Sequence, residues 1–254
     1  MGPGRAVETG NPEVCVIIGP MSQGWDRRRL RLVVFDWDGT LMDSVGSIVA
    51  CTQAAVADLG WGPVSSESIR GSVGLGLREA MLSLLPAAQH GDYERLLERY
   101  RAHWLGGLRE QPFLFPGVEP MLARLEAAGL LLAVATGKSR RGLDHALEQS
   151  SLAGRFHATR TADEALSKPH PQMLLDILAE LGVGAGEAVV VGDTTYDLDM
   201  ARNAGTAAVA VLSGTQPREE LARSGPLALL DRVAELPAWL GMDGALDALA
   251  PPSV

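Results

Sequence analysis

Asp36 and Asp38 stand two residues apart, directly after the apolar run Leu32-Val33-Val34-Phe35. A carboxylate fixed at a strand end can attack phosphorus and form an aspartyl-phosphate. A second carboxylate in the next loop can reach the leaving-group oxygen, as general acid and then as general base for water. Asp36 is the candidate nucleophile and Asp38 the candidate acid–base group. Three more polar clusters can join them: Thr136-Gly137-Lys138-Ser139, Ser167-Lys168-Pro169 and Gly192-Asp193. Thr136 offers a hydroxyl and Gly137 a backbone N–H at a helix start, which suits an anion. Lys168, its local chain fixed by Pro169 and Pro171, brings a positive charge to the transferring phosphoryl oxygens. A phosphate beside these carboxylates needs a cation, and magnesium binds through carboxylates, waters and phosphate oxygens. Asp36 and Asp193 are the expected side-chain ligands. Asp197 is a further ligand or a partner behind the ligands; the plainer reading is a helix N-terminal acid favoured by the dipole.

These clusters need elements that bring them together. Leu32–Phe35, Leu130–Ala135, Ala188–Val191 and Ala207–Leu212 read as buried strands. Helical spacing separates the later ones, as in Met121-Leu122-Leu125, which stops near Gly129, and Met173-Leu174-Ile177-Leu178, which ends near Gly182. Strands alternating with helices predict a doubly wound parallel α/β sheet covered on both faces. Ligands of such sheets bind at the carboxyl ends of the strands, where three of the four clusters fall. Residues 48–113 carry no convincing strand and read as helices, one through Leu75, Leu77, Met81, Leu82 and Leu85, another from Tyr93 to Trp104. Ser44 is a possible N-cap for the helix that opens this segment.

Composition narrows the function classes. With 46% hydrophobic and 21% charged residues the chain can build a sizeable core and is not a disordered one. A formal charge of −9 argues against a nucleic-acid partner. No apolar run reaches membrane-span length, and no secretory signal is evident. Two cysteines, Cys15 and Cys51, do not make a disulfide framework, so a cytoplasmic setting is expected. Arg27-Arg28-Arg29 reads as a solvated flank. His90, His103, His145, His157 and His170 show no metal-ligand spacing. His170 reads as a local hydrogen-bonding residue, and Lys138 as solvated. Trp37 is expected near the site's mouth.

The four clusters, in this order, resemble the four motifs of the haloacid dehalogenase superfamily. The first is Asp36-Trp37-Asp38-Gly39-Thr40-Leu41-Met42-Asp43-Ser44, the second Ala135-Thr136-Gly137-Lys138, the third Lys168-Pro169 and the fourth Gly192-Asp193-Thr194-Thr195-Tyr196-Asp197. The phosphoglycolate-phosphatase-like branch is the most similar, through Phe115-Pro116-Gly117-Val118, Ser167-Lys168-Pro169-His170-Pro171 and Asn203-Ala204-Gly205. The resemblance implies a Rossmann-like core over 31–47 and 114–242, a small inserted helical cap over 48–113, an N-terminal extension over 1–30 and a tail over 243–254. It implies the same roles for Asp36 and Asp38, with the Asp38 backbone carbonyl as a metal ligand. The expected activity is magnesium-dependent hydrolysis of a small phosphorylated metabolite, 2-phosphoglycolate being the first to try, by a monomer or small homo-oligomer. Cap closure would exclude water and set specificity. Gly46 and Gly117 are candidate hinges. Gly71-Ser72-Val73-Gly74-Leu75-Gly76 reads as the cap's specificity loop, with Arg70 or Arg78 as candidate contacts for a substrate carboxylate. A phosphomutase would use the same residues, and a non-catalytic phosphate-sensing or protein-binding module could share the fold. Dehalogenation needs neither Asp38 nor a metal site.

Overall fold

All four side chains of Leu32–Phe35 are buried, so this strand must lie inside a sheet covered on both faces. The computed structural model describes residues 25–86, 91–106 and 113–242. In chain order the strands are β1 (Leu32–Phe35), β2 (Met42–Asp43), β3 (Phe113–Leu114), β4 (Leu131–Thr136), β5 (Ala158–Thr161), β6 (Ala188–Gly192), β7 (Ala207–Val211) and β8 (Leu229–Leu230). The helices are α1 (Val45–Asp58), α2 (Ser66–Ser72), α3 (Leu77–Ser83), α4 (Tyr93–Leu105), α5 (Val118–Ala127), α6 (Arg140–Gln149), α7 (Gln172–Leu181), α8 (Thr195–Asn203), α9 (Arg218–Arg223) and α10 (Leu236–Trp239).

Six strands form one parallel sheet in the order β5-β4-β1-β6-β7-β8. Alternation along β1 divides the core. Val33 and Phe35 face a layer that includes Leu122 and Leu125 of α5, Leu143 of α6 and Leu236 of α10. Leu32 and Val34 face Met173 and Ile177 of α7 and Leu198 of α8. The sheet is therefore doubly wound. Its register sets the site: Phe35 lies level with Val134 and Val191, so Asp36, Thr136 and Asp193 leave their strands at nearly the same height.

Helices α1–α4 lie between β2 and β3 and have a core of their own around Val56, Met81, Leu96 and Tyr100. The spacing of Tyr93, Leu96, Leu97 and Tyr100 gives α4 one buried face. The chain enters and leaves this segment through a two-stranded antiparallel ribbon pairing Met42 with Leu114 and Asp43 with Phe113. Gly46 sits inside α1, whereas Gly117 takes a left-handed φ of 87° at the N-cap of α5.

Several short elements differ from the sequence reading. Ribbon strand β3 begins at Phe113, the last residue of the segment read as strandless. Strands β5 and β8 and helix α2 were not expected, being brief or mixed in polarity. Leu75 lies outside α3, in a bridge between Val73 and Leu75. Of the residues assigned to the extension, Trp25 stacks on Trp239 at 5.6 Å and Leu30 is buried. Arg27–Arg29 form an exposed 3-10 turn capped by Asp26. Cys15, His90, Pro112, the rest of the extension and the tail lie outside the described residues. Among the described residues no helix is long and apolar enough to cross a membrane.

Candidate active site

Asp36, Asp193, Asp197 and Lys168 converge at the carboxyl end of the sheet, and each is at most 2% exposed. Lys168 Nζ lies 2.7 Å from Asp36 Oδ1 and 2.7 Å from Asp197 Oδ1. The other oxygen of Asp197 accepts from the Thr194 backbone N–H at 3.1 Å and its hydroxyl at 2.7 Å. Asp197 is thus both the capping-box acid of α8 and the anchor of Lys168. Asp193 Oδ1 accepts from Thr40 Oγ1 at 2.9 Å, and Oδ2 from the Thr215 N–H at 3.0 Å. Gly39, at φ 83°, lies so close to this carboxylate that a Cβ there would come within 2.5 Å of it.

Asp36 Oδ2 is buried and has no hydrogen-bond partner among the described residues. One ligand oxygen from each of Asp36, Asp193 and Asp197 falls within 4.8 Å of the others. A single ammonium cannot neutralise three carboxylates there, and an orphaned buried oxygen is costly. These residues fit a divalent cation.

Titration follows from the same geometry. Burial pushes Asp36 well above the usual carboxylate range; Lys168 opposes this, and Asp197 and Asp193 reinforce it. Burial, then Asp197, raises Asp193 to about 7, against the pull of Thr40 and Thr215. Burial works against the Lys168 ammonium, but Asp197 and Asp36 outweigh it and hold that group above the ordinary lysine value.

Asp38 stands apart from the cation cluster. It forms an ion pair with Lys138 Nζ at 2.9 Å and accepts a short hydrogen bond from Ser44 Oγ. Ser44 is at the N-cap of α1, but its side chain serves Asp38 rather than the helix. Lys138 is not solvated as its sequence context suggested. Its ammonium is enclosed between Asp38 and the ring of Trp104, 5.0 Å from the centroid. Trp37 is likewise not at the mouth. Its side chain is fully buried in the main core, edge-on to Phe156 at 6.2 Å, while its carbonyl accepts from Thr40, Leu41 and Met42. It anchors the loop from beneath because the chain turns there and sends the indole under the sheet end.

A cavity of about 330 Å³ opens above Asp36 and Asp38. Thr136, Gly137 and Lys138 line one side, and α1–α4 provide the roof. Arg70 and Arg78 are not among its lining residues. Both are exposed, and Arg78 lies over the Tyr93 ring at 4.7 Å. The helical segment rests directly on the sheet end. Gly76 N–H donates to Ser167 Oγ at 2.6 Å, and Tyr196 Oη donates to the Gly71 carbonyl at 3.2 Å. A Cβ on Gly137 would collide with the Leu75 carbonyl. His170 Nδ1 accepts from the Gln172 N–H at 3.2 Å, a local bond. Lys138, Ser44, Thr40 and Thr194 are the supporting residues that sequence reasoning missed; only the basic residue directly after Thr136-Gly137 gave a signal.

The model of haloacid dehalogenase-like hydrolases matches residues 33–211, which include all four clusters. The chain belongs to this family. The hydrolase is 36% identical over 212 residues to a probable phosphatase, IndB, of Dickeya dadantii, covering 81% of this chain and 91% of that one. It is 32% identical over 217 residues to the N-acetylmuramic acid 6-phosphate phosphatase of Pseudomonas aeruginosa, covering 83% and 94%. The crystal structure of a predicted phosphoglycolate phosphatase from Haemophilus somnus superposes with a TM-score of 0.76 at 22% identity, covering 83% and 98%, a likeness of fold.

Proposed function

We propose that this hydrolase is a magnesium-dependent phosphatase that cleaves a phosphate monoester through an aspartyl-phosphate on Asp36. The observation that carries this reading is the position of Asp36. It is a rigid, buried carboxylate at the floor of the cavity, with one oxygen on Lys168 and the other without a partner. An oxygen so placed is free to bond to an incoming phosphorus.

Asp36 attacks phosphorus as the bond to the leaving oxygen breaks. Asp38 gives that oxygen its proton and leaves as a carboxylate beside Lys138. Water then attacks the phosphorus of the aspartyl-phosphate, Asp38 takes its proton, and Asp36 is freed with release of inorganic phosphate. Thr136, Gly137 and Lys168 hold the phosphoryl oxygens. Asp36, Asp193 and the Asp38 backbone carbonyl would hold the magnesium ion, which would supply charge neutralisation of the phosphoryl group. The engagement of both Asp197 oxygens, by Lys168 and by Thr194, favours a positioning role for it. The segment 48–113 acts as the cap and excludes water during the first step.

Phosphate release from a panel of phosphate monoesters tests this. Release with magnesium is expected, with loss on chelation and a fall of at least about 10³-fold in Asp36→Asn. Undiminished release by Asp36→Asn would overturn the covalent route. A requirement for a sugar bisphosphate, with phosphate returned to the sugar, would point to a mutase.

A further inference from the structure

The roof of the cavity is mostly hydrocarbon. Ile48, Ile69, Val73, Met81, Leu84 and Tyr100 line it, and they are contributed by α1–α4 and the turn after α2. The Lys138 ammonium, which also faces the cavity, is already held by Asp38 and Trp104. Arg101 and Arg141 line the cavity too, but both are solvent-exposed. A substrate carboxylate at the roof would meet mostly hydrocarbon, and only the exposed Arg101 and Arg141 at the cavity's margin could offer it a cation.

The size of the space points the same way. A cavity of about 330 Å³ is in the range that encloses drug-sized molecules. Of the roof's hydroxyls, that of Ser72 is held by the Ile69 carbonyl, whereas that of Thr52 is unpaired among the described residues. Thr52 lines the cavity and is 1% exposed, with its Oγ1 buried. A buried hydroxyl left unpaired is unfavourable unless something brought into the cavity satisfies it.

We infer that the substrate is a phosphate monoester of a bulky, largely apolar alcohol or phenol, whose body fills the space under α1–α4 and carries one group able to hydrogen-bond Thr52. This rests on the phosphatase reading above. Ile48, Val73, Met81 and Leu84 set specificity by shape and apolarity, and Thr52 sets orientation.

The test compares 1-naphthyl phosphate with 2-phosphoglycolate on the full chain with magnesium. A kcat/KM at least about tenfold higher for 1-naphthyl phosphate is expected, since each buried CH₂ is worth roughly 0.8 kcal/mol. A ratio below about tenfold overturns the inference and leaves the phosphatase reading standing. Ala80→Phe, which fills the cavity, and Leu84→Gln, which makes its half-buried wall polar, should each lower that ratio by about tenfold or more. An unchanged ratio in folded protein of both variants overturns it as well. Absence of release from every monoester in the panel sinks the phosphatase reading instead. Calorimetric binding to the Asp36→Asn protein then decides the inference. At least about tenfold tighter binding of 1-naphthyl phosphate, with a negative heat-capacity change, supports it, and a smaller preference overturns it.

Discussion

Asp193 should make the metal-free protein more stable in mild acid than in mild base, the reverse of what an exposed carboxylate would do. Its carboxyl is raised from 3.8 to about 7 because it is buried and faces Asp197, and the bonds from Thr40 and Thr215 only partly compensate. A raised acid binds its proton more tightly in the folded state than in the unfolded one. Between those two values the folded protein therefore holds more protons, and stability falls as pH rises. From roughly pH 6 to roughly pH 8 the loss from this one group is about 1.4 kcal/mol. In a chain of this size that is about 3–6 °C in Tm. Asp36 is shifted in the same direction and adds to the effect.

Calorimetric melting in the presence of chelator, compared with Asp193→Asn across the same range, isolates the contribution. The wild type should lose about 3–6 °C more than the variant on going from roughly pH 6 to roughly pH 8. Magnesium requires ionised ligands, so the Tm gain it produces should be larger at the higher pH. Equal slopes in wild type and Asp193→Asn would refute the assignment of a protonated, cation-free Asp193. A magnesium gain independent of pH would refute the claim that these carboxylates hold the ion.

Three further outcomes follow from the contacts around this group. Lys168→Met leaves Asp36 and Asp197 buried without their shared cation and should destabilise the fold by about 3–5 kcal/mol, read by denaturant melting. Lys138→Met removes the 2.9 Å partner of Asp38 and should lower kcat by about 10- to 100-fold, read by steady-state phosphate release. Trp37→Ala empties a fully buried site beneath the catalytic loop and should cost about 3–5 kcal/mol, read by the same melting experiment.

The parts of the fold that were legible in the sequence are those where a single physical pattern dominates. Leu32–Phe35 and Ala188–Val191 are continuous apolar runs, and only a strand buried on both faces needs one. Gly129 and Gly182 mark helix ends through their left-handed φ of 78° and 61°. Strand β5, Ala158-Thr159-Arg160-Thr161, carries no such run. It lies at the sheet edge, where Arg160 reaches Glu180 at 2.6 Å, so its polarity hides it. Strand β8 has two residues and is defined by pairing with β7 alone. In the site, Asp36, Thr136 and Asp193 were legible because strand ends fix them, and Lys168 because Pro169 and Pro171 constrain the loop before α7. Ser44, Thr40 and Thr194 were not, because a hydroxyl's partner depends on loop paths that local spacing does not encode.

Lys138 shows where reading a sequence cluster by cluster fails. Next to Thr136-Gly137 a solvated lysine near the site is the default expectation, and nothing within the second cluster contradicts it. Its actual setting comes from three distant parts of the chain. Asp38 follows β1, Trp104 lies in the last turn of α4, and the backbone of Leu75 presses on Gly137 so closely that a side chain there has no room. The ammonium is screened from water only while Trp104 covers it, and its attraction for Asp38 strengthens as the local dielectric falls. The same contact that seats α1–α4 over the cavity therefore also holds the ammonium against Asp38. Under the proposed mechanism, the position of Asp38 and the seating of α1–α4 over the cavity are therefore linked through one side chain, Lys138.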